Sequence, residues 1–162
     1  MHWALLPFRR YFDFKGRSRR MEFWSFQLMY WLVLVGFFAI ILAALPWSAE
    51  TSIDIDTSGQ EQAAQAFSDI PALFWVGIAL MGIWYLAVLI PGLAVTVRRL
   101  HDRDMSGWWY GGLILLGFVP ILNFFVLFGY LALLVVLFLD GTRGPNRYGP
   151  DPKDPHQANV FE

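Results

Sequence analysis

The sequence has no cysteine, no basic residue anywhere from Phe23 to Val97, and no charge of either sign inside three long apolar stretches. The first absence excludes disulfides, thiolate nucleophiles and cysteine-ligated metals, and it leaves the redox compartment unreadable. Charged residues make up only 15% of the 162-residue chain against 57% hydrophobic, a balance outside that of soluble domains. A water-soluble fold of this length has too little interior to hide so much apolar surface. The net charge of -1 says nothing of partners, because positive and negative residues are segregated along the chain; nucleic acid is not expected among them. A cleaved leader is not expected either. The first apolar stretch begins only after a 22-residue basic segment and outlasts the h-region of a signal peptide, so it reads as a retained span.

No charge occurs between Glu22 and Glu50, between Asp69 and Arg98, or between Asp104 and Asp140. Each stretch exceeds the roughly 20 apolar residues that cross a ~30 Å hydrocarbon core. The first fits one helix over 23–47, ending at Pro46 and Trp47. The second fits one helix over 71–97, with a Pro in its first turn and a kink at Pro91-Gly92. Gly107 to Leu139 is 33 residues, too long for one simple crossing. Gly117, Pro120 and Asn123 near its middle form a helix-breaking cluster, so it divides into short spans over 108–119 and 124–139. A single tilted, Pro-kinked helix is the alternative.

Positive charge decides between them. Six Lys/Arg precede Glu22, three lie in Arg98–Asp104 and three follow Leu139; with two crossings in the last stretch all twelve fall on one side. That is the distribution cytoplasmic loops show. The expected fold is therefore all-α and polytopic: one membrane domain over residues 1–152 with four transmembrane helices and cytosolic termini, followed by a flexible tail over 153–162. The loop 48–70, with Glu50, Asp54, Asp56, Glu61 and Asp69 and no basic residue, is expected outside as a solvated segment. Trp3, Trp24, Trp47, Trp75, Trp108, Trp109 and Tyr110 sit near the expected interfaces, whereas Trp31 and Trp84 are placed deeper, between helices. Gly36, Ala39 and Ala43 put small residues on one face of the first span, where another backbone could approach.

Three polar segments are dense in hydrogen-bonding side chains: Phe14-Lys15-Gly16-Arg17-Ser18-Arg19-Arg20 through Phe23-Trp24, Arg98-Arg99-Leu100-His101-Asp102 through Ser106-Gly107-Trp108-Trp109, and Gly141-Thr142-Arg143-Gly144-Pro145-Asn146-Arg147-Tyr148-Gly149-Pro150-Asp151-Pro152. In this order they resemble the motifs of the small bacterial inner-membrane proteins of the domain of unknown function 805 family, which includes the YhaH-like proteins. The resemblance runs from about Tyr11 to Pro152. It implies a multi-pass protein of the bacterial inner (plasma) membrane and brings no established activity.

Arg17, Arg20, Arg98 and Arg99 flank the cytosolic span ends, where guanidinium groups bind phosphate in bidentate fashion. An anionic phospholipid headgroup is the nearest phosphate. The competing reading has the same arginines as topology signals that pair with Glu22, Asp102 and Asp104 and close the ends of the bundle. His101 and Asp102 are neighbours, yet adjacent helical residues point about 100° apart, so a partner for His101 must come from another segment. No metal or cofactor is expected, since His2 and His156 lie far off in the chain ends. Asn146 and Tyr148, within a Pro-rich turn, are expected to dock back on the helix ends. The function expected is non-enzymatic: contact with the bilayer, with anionic lipid or a protein partner bound through Arg17, Arg20, Arg98, Arg99, His101, Asp102, Asn146 and Tyr148, and with room for a homo-oligomer. A transporter or channel subunit is the alternative, for which the spans offer only Gln27, Tyr85, Asn123, Tyr130 and the backbone freed at Pro91 and Pro120. An enzyme acting on lipid headgroups, with His101 as base, is a third.

Overall fold

The computed structural model describes residues 2–45 and 71–154. Pro46, Trp47, the acidic segment 48–70, His156 and most of the expected tail lie outside the described residues. Among the described residues every regular element is helical: α1 (His2–Arg9), α2 (Arg20–Ala43), α3 (Ala72–His101), α4 (Trp108–Gly117), a 3-10 turn (Pro120–Leu122) and α5 (Asn123–Phe138). The nearest thing to sheet is a bridge between Asn146 and Gly149. Among the described residues three segments are long and apolar enough to cross a membrane: Arg20–Ala43, Ala72–His101 and Pro120–Phe138.

The chain divides into two compact units, one of residues 1–29 and 87–162 and the other of residues 30–86. In the second unit the Ile41 side chain lies against the backbone of Gly77. The small face of α2 is left open, with Gly36, Ala39 and Ala43 all exposed, and Trp31 is 61% exposed instead of packed between helices. A helix that is apolar all round has no periodicity to say which side faces protein and which faces lipid.

The first unit is held by Phe23, Phe26, Val88, Ala94, Val95 and Leu100, with Val126, Leu133 and Leu137 from α5. α1 adds buried Pro7, and Phe8 lies 5.6 Å from Phe26. α3 runs unbroken through Pro91. A proline there cannot donate to the carbonyl one turn earlier, that of Ala87. The orphaned oxygen accepts the Tyr11 hydroxyl at 3.0 Å instead.

Asp104, in left-handed conformation (φ 58), ends α3. Its N–H donates to His101 O and the Met105 N–H to Leu100 O, the paired bonds of a Schellman turn. The chain then folds back along α3. Gly107 abuts Val97 so closely that a Cβ would collide with its methyls, and α4 therefore starts about 6 Å below the end of α3. The long apolar stretch breaks at Val119, whose backbone is extended (φ -99, ψ 104), and at Pro120, which opens the 3-10 turn. α4 and α5 lie antiparallel, with Leu113 against Gly129 and the Tyr110 and Tyr130 rings 6.3 Å apart. Their turn exposes Phe118 by 79% and Ile121 by 86%.

Candidate functional site

The three polar motifs converge at one end of the first unit, and their centre is buried. The side chains of Arg17, Arg98 and Arg99 are 1%, 0% and 0% exposed. A buried guanidinium is tolerated only when carboxylates and carbonyls replace its water. Here they do. Arg17 Nε donates to Asp102 Oδ1 at 2.9 Å, its Nη1 to Gly144 O at 2.6 Å and its Nη2 to Thr142 O at 2.5 Å. Arg99 donates to the other Asp102 oxygen, and its Nε and Nη2 reach Leu137 O and Leu139 O. Those carbonyls belong to the end of α5, which has no helical donors of its own to offer them, so Arg99 caps one helix from another. Arg98 Nη2 pairs with Glu22 Oε1 at 2.9 Å while its Nη1 donates to Asp13 O in the α1–α2 linker. Every nitrogen of the three guanidinium groups except Arg98 Nε thus has an acceptor.

Asp102 is the hub. Besides its two arginines, its carbonyl accepts the Thr142 N–H at 2.8 Å, and its carboxylate fills the space where a side chain at 141 would begin. Only glycine at 141 lets the third motif pass so close. Gly144, at φ +74, then turns the chain so that its carbonyl meets Arg17.

His101 finds its partner in another segment, as its position on α3 requires: Nδ1 lies 3.2 Å from Gly16 O. The Tyr148 ring stacks on the imidazole, with centroids 3.8 Å apart and planes 5° from parallel. Asn146 Nδ2 donates to His101 O at 2.9 Å, and Arg147 pairs with Asp104 at 3.1 Å. Asp151 Oδ1 accepts the Lys153 N–H and Oδ2 the Gly144 N–H. These bonds, the Lys153 one foremost, hold the Asp151 carboxyl below the usual carboxylate range. Residues 139–154 are therefore a strap bound across the helix ends.

Of the predicted arginines, Arg20 stands apart. Its side chain is 42% exposed, and Nη2 pairs with Asp140 Oδ1 at 2.7 Å. Lys153 Nζ approaches the same oxygen at 2.8 Å, and this hydrogen bond, with the Arg20 charge, lowers the Asp140 pKa. Beside them is a groove of about 510 Å³ lined by Arg19, Arg20, Met21, Trp24, Phe138 and Lys153. Trp24 stacks on Phe138 at 4.0 Å. The structure thus brings all eight predicted residues to one end but separates them: Arg17, Arg98, Arg99 and Asp102 are inside, His101, Asn146 and Tyr148 join the strap, and Arg20 lines an open groove. Sequence reasoning missed Asp140, Lys153, Arg19 and Thr142, whose roles depend on the strap's path. Gly141 carried a signal in the Gly-x-x-Gly spacing. Among the described residues no three His, Asp or Glu side chains gather as a metal site would need.

The chain is 34% identical over 155 residues to inner membrane protein YhaI of Escherichia coli (strain K12), covering 94% of this chain and 97% of that one. It is 33% identical over 153 residues to inner membrane protein YhaH of the same strain, covering 94% and 98%. Uncharacterized protein YiiR of that strain is 30% identical over 158 residues, covering 88% of each. No solved structure matches. The family model described as "Protein of unknown function (DUF805)" matches residues 11–150, and the chain belongs to that family.

Proposed function

We propose that this chain is a non-enzymatic, multi-pass protein of the bacterial inner membrane which crosses four times, keeps both termini in the cytosol, and binds anionic phospholipid at its cytosolic polar end. The names of the relatives support the compartment, and the one-sided basic residues support the orientation. The α4–α5 hairpin supports the count of four crossings. The return along α3 and the ten residues of α4 together cover about 21 Å against about 30 Å for α5 with its 3-10 turn, a short span of the kind a locally thinned bilayer accommodates. The bare Phe118 and Ile121 at the hairpin tip suit the far interface of the bilayer and would be unfavourable in bulk water.

The observation that carries the binding reading is the division of labour among the cations. Arg17, Arg98, Arg99 and Asp102 are committed to one another and to the backbone, and they form the scaffold on which His101, Asn146 and Tyr148 seat the strap. Arg20, joined by Arg19 and Lys153, remains accessible beside the ends of α2 and α5, at the level where headgroups lie. Native mass spectrometry of the protein released from its own membrane tests this. A co-released anionic phospholipid is the expected result. A bare chain overturns the binding reading, and a stoichiometric protein in place of lipid reassigns the polar end to a protein partner.

A further inference from the structure

We infer that the groove beside Arg20 is a site for one lipid phosphate, and that the Asp140 carboxylate occupies the anion's place until a lipid displaces it. The inference rests on the lipid-binding reading above and specifies its site and its competitor. Two cations from distant parts of the chain, Arg20 at 2.7 Å and Lys153 at 2.8 Å, converge on one oxygen, Asp140 Oδ1. That arrangement, a guanidinium and an ammonium around a single anionic oxygen, is what a phosphate oxygen meets in a headgroup site. Arg19 lines the same groove, with its Nε donating to Pro152 O and its guanidinium carbon 5.6 Å from the Trp3 ring. Two basic side chains therefore meet one carboxylate and Arg19 adds a third to the groove's lining, so the groove keeps an excess of positive charge when Asp140 is paired.

The charges alone fit any small anion; the walls select a lipid. Met21, 63% exposed, and the stacked pair Trp24 and Phe138 form an apolar side continuous with the groove, and a glycerol backbone and the start of an acyl chain would cover it. Free phosphate has nothing to place there. Displacement of Asp140 is feasible because both of its pairs are exposed: its side chain is 63% accessible, and ion pairs in contact with water hold weakly. The incoming phosphate takes over both cations and releases a carboxylate into water.

The test uses the full chain in detergent micelles titrated with phosphatidylglycerol or phosphatidylcholine and read by native mass spectrometry. Asp140→Asn removes the competitor and is expected to tighten phosphatidylglycerol retention several-fold. The double variant Arg20→Gln/Lys153→Gln is expected to weaken it by about fivefold per charge lost, and phosphatidylcholine retention is expected to stay unchanged in both. All three side chains are partly solvated, and an unchanged unfolding midpoint verifies each fold. If wild type retains phosphatidylglycerol while Asp140→Asn and the double variant match it, the lipid sits elsewhere and this inference fails alone. If wild type retains no anionic lipid, the lipid-binding reading fails with it. Displacement of phosphatidylglycerol by inorganic phosphate at equal concentration would assign the groove to a small anion and overturn the lipid.

Discussion

A buried charge and a solvated charge of the same residue type do different work, and this protein holds both within four residues, at Arg17 and Arg20. Removing one member of a buried pair leaves the other stranded, so Asp102→Ala, which strands Arg17 and Arg99 together, is expected to cost about 3–5 kcal/mol. Arg20→Ala removes an exposed pair and should leave the unfolding midpoint almost unchanged; tryptophan fluorescence of detergent-solubilised protein through a denaturant titration compares the two. Gly141→Ala should resemble Asp102→Ala, since the new methyl takes the carboxylate's space. Tyr11→Phe leaves the carbonyl that Pro91 orphaned without a donor and should cost about 1–3 kcal/mol in the same titration. The motifs that hold these residues are legible in the sequence. Which arginine is buried is not, because Arg17, Arg19 and Arg20 look alike in the chain, and only the arrival of Asp102, 85 positions away, distinguishes the first.

At the scale of elements, the strap 139–154 depends on carboxylates and therefore on pH. The folded-state pKa of Asp151 lies below its ordinary value, so its contribution is fully present above about pH 4 and is lost as the pH falls through the lowered value. The strap is expected to stay seated at neutral and mildly acidic pH and to loosen only in strong acid. An environment-sensitive label on Arg143→Cys, the sole thiol of that variant, reports the transition; a midpoint in mild acid would assign the strap's hold to His101, whose pKa burial lowers from the ordinary imidazole value, instead of Asp151. The break in the third apolar stretch could be read from Pro120, which cannot continue a hydrogen-bond ladder. α1 could not. Its apolar residues stand in a short basic segment with Pro7 inside, and it gains its place by packing Phe8 on Phe26.

For the whole molecule, the four-crossing proposal makes a topological prediction that the absence of native cysteine renders clean. In intact spheroplasts an impermeant maleimide should label Ser58→Cys and spare Lys15→Cys and Lys153→Cys. Labelling at both 58 and 153 would mean three crossings, with the C-terminal end outside. The sequence by itself determined that the chain is helical and built for a membrane, that its basic residues stand in three segments outside the apolar stretches, and where the long apolar stretch turns. Those properties follow from composition, charge order and the chemistry of proline, and they require no contact between distant residues. Tertiary structure alone decided that three of the arginines are internal struts, that the strap threads over Asp102 through a glycine, and that Arg20 and Lys153 meet at Asp140. Each of those outcomes joins residues far apart in the chain, and in each the burial of a charge depends on whether a distant carboxylate or carbonyl arrives to replace its water.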